Sequence, residues 1–170
     1  IVLRVVGAFY ALAGMFLLRN LAMDRVMDQM LTAISMEPQP AKEAQRRWLW
    51  GVSGLAIGMG GIALMVLSLW ALPLFGVGLL SQWVYLAWAR NAFPPESGDE
   101  IKGRRQTTNA ANLYAIATAG VFWAAISGRL HAWDDVWALS IPAFGVVMLA
   151  SIARHFFWSP RRAQDDWNDG

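Results

Sequence analysis

Residues 48–70 read WLWGVSGLAIGMGGIALMVLSLW, 23 residues without a charge, with Trp48 and Trp50 at one end and Trp70 at the other. Indole rings favour the lipid–water interface, and about 20 apolar residues at about 1.5 Å each cross a hydrocarbon core of about 30 Å. The stretch therefore predicts a transmembrane helix. Four further apolar runs flank it, at residues 2–18, 73–89, 107–127 and 136–158. Together they predict an all-α membrane protein, a five-transmembrane-helix bundle forming one domain over residues 1–158, followed by a polar tail at 159–170.

Composition points the same way. Hydrophobic residues make up 56% of the 170 and charged residues 15%, with a mean hydropathy of +0.37, too little polar material to cover a water-soluble globule of this size. There is no cysteine, which excludes disulfides, thiolate catalysis and cysteine-ligated zinc or iron–sulfur centres. The net charge of +2 does not call for nucleic acid, because the aromatic residues lie in apolar runs and not among the basic residues.

The first run contains Ala11-Leu12-Ala13, a small-residue pattern like a signal-peptide cleavage site, but it continues apolar through Leu18 and reads as a retained crossing. After it, Met23, Val26, Met27, Met30, Leu31 and Ile34 recur at spacings of three and four, while Asp24, Arg25, Asp28 and Gln29 take the other face. That pattern predicts an amphipathic helix over residues 21–34, ended by Glu37-Pro38-Gln39-Pro40. Its polar face is net negative, unlike that of helices that only bind anionic lipid, and a Met-rich stripe suits an adaptable protein contact. A helix lying across the ends of its own bundle is the plainer alternative. Residues 90–106, with Pro94, Pro95, Gly98 and Gly103, read as an aqueous loop.

Charge sets an expected orientation. Twelve of the fourteen Lys and Arg residues fall in alternate connectors: Arg19, Arg25, Lys42, Arg46 and Arg47, then Arg90, Lys102, Arg104 and Arg105, then Arg154, Arg161 and Arg162. Only Arg4 and Arg129 fall in the others. The positive-inside bias then predicts five crossings, with the N-terminus outside and the C-terminus cytoplasmic.

Two constellations stand out. Gly51, Gly54, Gly58 and Gly61 share one stripe of the second span, where a bare surface lets another backbone approach, from within the bundle or from another subunit. Gln82 with Tyr85, and Asn109 with Asn112, are pairs three residues apart on the third and fourth spans. With an aqueous loop between these spans, Tyr85 and Asn112 are expected at similar depth. The four could form a polar cluster, either as interhelical hydrogen bonds or as a ligand site.

Other chemistry finds little purchase. No Asp, Glu or Lys sits in the middle of a span. His131 and His155 fall near opposite ends of the fifth span, so one haem cannot take both, although single-histidine ligation of a haem or pigment stays open. His131, Asp134 and Asp135 could be read as metal ligands, but one of the aspartates more naturally caps the helix that follows. The sequence thus leads to a non-catalytic integral membrane protein, an accessory or assembly subunit of a bacterial inner membrane that packs against other membrane proteins through its glycine stripe and its Met-rich helix, with no cofactor, no metal and no nucleic acid. Its expected partners are the lipid bilayer and other membrane subunits or further copies of itself. The alternative is a binder or carrier of a small polar or lipid-like ligand within the bundle, and an integral-membrane enzyme comes third.

Overall fold

A computed structural model describes residues 1–35, 41–92 and 98–157. Five helices follow in order: α1 (Val2–Ser35), α2 (Ala41–Met65), α3 (Ala71–Ala92), α4 (Gly98–Ile126) and α5 (Ser140–Phe157), with one 3₁₀ turn at Val136–Leu139. No strand occurs among the described residues. The Glu37–Pro40 break, Pro94, Pro95 and the tail at 159–170 lie outside the described residues, as do the side chains of Val26, Leu31, Ile34 and His155.

Four segments, Val2–Asp24, Gln45–Met65, Ala71–Ala92 and Gly98–Ile126, are long and apolar enough to cross a membrane, and Val136–Ala150 is a shorter apolar stretch. The bundle is apolar outside. Phe9, Phe16, Leu80, Trp83, Leu113, Ile116 and Val146 are exposed, whereas Ala63, Leu64, Ala71 and Phe75 are fully buried. So broad an apolar exterior needs lipid around it.

Each helix runs antiparallel to the one before. Gly7 meets Gly61 and Met65, while Gly51 meets Leu21. Gly60 lies against Leu74 and Phe75, Trp50 against Tyr85, and Gly78 against Tyr114. α2 is the centre, touching α1, α3 and α5, and α4 packs on α3. The connectors after α1 and after α3 therefore leave the same end of the bundle, which carries Arg19, Lys42, Arg46, Arg47, Arg90, Lys102, Arg104 and Arg105. Arg4 and Arg129 belong to the other end.

Helix boundaries depart from the sequence expectation in three places. α1 is one unbroken helix, so the first apolar run and the amphipathic segment are not separate elements. Arg19 and Asn20 are polar but include no Pro or Gly, and nothing there stops propagation. At about 1.5 Å per residue its 34 residues extend about 51 Å, well beyond a hydrocarbon core of about 30 Å.

α4 begins at Gly98 and not near Thr107, so residues 98–106 are helical rather than an open loop. Asp99 and Glu100 occupy its first turn, where the helix dipole favours negative charge. Thr107 and Thr108 then return their hydroxyls to the Gly103 and Arg104 carbonyls, at 3.1 and 2.9 Å. Arg104 Nη2 also donates to the Ala89 carbonyl at 3.4 Å, near the C-terminus of α3.

α2 stops at Met65, short of Trp70. Leu67 turns left-handed at φ 55°, and its N–H and that of Ser68 close on the Leu64 and Ala63 carbonyls at 3.1 and 2.8 Å. α4 ends by the same device with Gly128 at φ 65°, the residue type this conformation favours. A short parallel bridge, Leu69 N–H to His131 O and His131 N–H to Leu67 O, ties the two turns together at 3.0 and 2.6 Å.

Candidate functional site

The glycine stripe of α2 is filled from within the chain. Gly54 faces Leu17 and Leu18, a Cβ on Gly61 would strike the Ala11 and Gly7 backbone, and Gly58 lies between Gly14 and the Met148 thioether of α5. Gly51 is the looser member, with Leu21 Cδ2 at 3.5 Å from where its Cβ would stand. The counterpart on α1 is Gly7, Ala11 and Gly14, itself a small-residue stripe. A Cβ on Gly7 would fall 2.7 Å from Gly61 O, and one on Gly14 would run into the Gly58 backbone. The two helices thus meet backbone to backbone, the packing that lipid rewards in place of a hydrophobic drive.

The four polar residues do not gather. Asn109 and Asn112 are exposed on α4, because the stripe turned inward runs through Ala111, Tyr114, Thr118 and Val121 and each residue advances about 100°. The expected match in depth fails as well. With α4 starting at Gly98, Thr107 shares a cavity wall with Tyr85 and Tyr114 is level with Gly78, which sets Asn112 about 7 Å farther along the axis than Tyr85.

The polar residue that does tie helices together is Tyr114, which the sequence reading passed over. It is 2% exposed, and its hydroxyl donates to the Phe75 carbonyl at 3.4 Å. Its ring stacks on Phe75 at 5.3 Å and meets Tyr10 edge-on at 5.1 Å. Gly78 makes room for the hydroxyl, since a Cβ there would come within 2.5 Å of it. The spacing of Ala111, Tyr114, Thr118 and Val121 was the available signal, and the neighbouring asparagines drew attention to the wrong face.

Gln82 and Tyr85 do line a common cavity. With Leu17, Leu49, Trp50, Ser53, Ser81, Leu86, Thr107, Ala110 and Ala111 they line a mostly apolar, partly open cavity of about 130 Å³ between α1, α2, α3 and α4. Trp50 meets Tyr85 edge-on at 5.3 Å. Ser81 Oγ donates to Gly78 O at 2.9 Å, whereas Gln82 Oε1 is buried with no hydrogen-bond partner. A second hollow of about 300 Å³ shares Leu17, Trp50 and Tyr85 with this cavity and adds Asn20, Leu21, Asp24, Arg46 and Arg47 at the cationic end. There Arg46 pairs with Glu43 at 2.9 Å.

At the opposite end, Asp135 caps the 3₁₀ turn by accepting from Trp137 N–H at 3.1 Å, and its other oxygen lies 3.8 Å from His131 Nδ1. Trp70 Nε1 donates to the Trp133 carbonyl at 3.1 Å, and the two rings meet edge-on at 5.1 Å. Arg129 lies 4.8 Å over the Trp123 ring. Among the described residues no group of three His, Cys, Asp or Glu side chains could hold a metal ion.

On α1, Met23, Met27 and Met30 are exposed at 57%, 64% and 61%. They continue past the apolar segment that ends at Asp24, so two of the three methionines stand beyond the part of α1 suited to hydrocarbon. The chain matches no protein-family model, and comparisons with curated proteins and with solved structures find no similar protein.

Proposed function

We propose that the chain is a non-catalytic integral membrane protein of a bacterial inner membrane. In this reading it crosses five times, with the N-terminus outside, and serves as an accessory or assembly subunit for other membrane proteins. The observation that carries the subunit role is the exposed methionine face of α1. A helix about 51 Å long outruns the bilayer, and its overrun leaves Met27 and Met30 exposed, where unbranched thioethers favour an adaptable protein contact.

The five crossings are supported by charge and geometry together. The C-terminal parts of α1 and α3 and the N-terminal parts of α2 and α4 lie at one end of the bundle and carry nine of the fourteen cationic residues, which the positive-inside bias assigns to the cytoplasm. α5, 18 residues long and about 27 Å at the helical rise, supplies the fifth crossing and returns the C-terminus to that side. The glycine stripe plays no part in partner binding, because α1 already covers it.

Purification in a gentle detergent followed by mass measurement is expected to return a heteromeric complex. The combined change Met23→Gln, Met27→Gln and Met30→Gln should release a folded monomer. A wild-type protein that runs as a monomer, or a triple variant that keeps its partner in full, would contradict the subunit role.

A further inference from the structure

We propose that the cavity between α1, α2, α3 and α4 binds a small monocyclic phenol, the ring filling the chamber and the hydroxyl donating to Gln82 Oε1. This goes beyond the subunit role and does not depend on it. Three observations select the ligand class. The chamber, about 130 Å³, is near the roughly 150 Å³ at which an apolar cavity accepts a benzene ring. Its wall carries no charged side chain, so the occupant is neutral. Gln82 Oε1 is the buried acceptor without a partner, and the neighbouring Ser81 hydroxyl is already given to Gly78 O. An acceptor left in that state costs free energy that an incoming O–H donor recovers. A plain hydrocarbon ring would fit the space and leave that cost in place. The hollow at the cationic end shares Leu17, Trp50 and Tyr85 with the chamber and so lies directly beside it.

The test is a fluorine NMR titration of the full chain in lipid nanodiscs with 4-fluorophenol and with fluorobenzene, with empty nanodiscs correcting for partition into lipid. Saturable binding of 4-fluorophenol, about tenfold tighter than that of fluorobenzene, is expected from one hydrogen bond to a buried acceptor. Gln82→Leu, which removes the unpartnered group and should fold, is expected to lower the affinity for the phenol to that for fluorobenzene. Ala111→Leu is expected to fill the chamber and abolish binding of both rings. Equal affinity for the two rings in the wild-type protein, an unchanged phenol preference in Gln82→Leu, or no saturable binding would overturn the proposal. The wild-type comparison decides alone if either variant fails to fold.

Discussion

Gly14→Leu is expected to separate α1 from α2 and to cost the fold about 3 kcal/mol or more, at the upper end of what overpacking exacts. The reason is that nothing soft lies opposite. A Cβ at Gly14 would run into the Gly58 backbone and come within 2.7 Å of Gly54 O, and helix backbones cannot rotate aside as a side chain can. Even Gly14→Ala is expected to lose about 1–3 kcal/mol. Gly120 is the control, being a helical glycine with nothing within 4 Å of its missing Cβ. Gly120→Ala should be neutral or stabilise by up to about 1 kcal/mol. Unfolding titrations in mixed micelles would read the difference, and equal losses at Gly14 and Gly120 would remove the close α1–α2 contact from the account.

Tyr114→Ala is expected to cost about 3–5 kcal/mol, the usual penalty for emptying a large aromatic site. The ring fills the space between Tyr10 of α1 and Phe75 of α3, so its loss opens a cavity bordered by three helices. Tyr114→Phe keeps the ring and gives up one hydrogen bond, for about 0.5–1.5 kcal/mol. Gly78 sharpens the test, because the atom its Cβ would strike is the hydroxyl that Tyr114→Phe removes. Gly78→Ala should therefore be costly in the wild-type protein and much cheaper in the Tyr114→Phe background. Additive losses in this double-mutant cycle would mean that the two residues do not meet.

The location of the apolar helices was legible in the sequence because length and apolarity alone decide what hydrocarbon tolerates. Helix ends were less legible. Polar residues at Arg19 and Asn20, and the glycine at Gly103, suggested boundaries that the backbone ignores, since only proline or a left-handed turn ends a helix firmly. The end of α2 shows the converse, for Leu67 takes a left-handed turn that its identity does not advertise. The glycine stripe was readable as a packing surface but not its partner, because Gly7, Ala11 and Gly14 lie among residues that any transmembrane helix could carry. Of the four polar residues, Gln82 and Tyr85 line one cavity, whereas Asn109 and Asn112 face outward. Their outward position follows from the register of α4, which depends on its start at Gly98.

Central to the proposed function is a chain that threads the bilayer with its cationic helix ends together on the cytoplasmic side. The sequence contains no cysteine, so single cysteines at Lys42, Lys102 and Arg129 can be labelled with a membrane-impermeant maleimide in intact cells. Labelling at position 129 before permeabilisation, and at 42 and 102 only after it, is the predicted result. Positions 42 and 102 reacting from opposite sides of the membrane would contradict the arrangement.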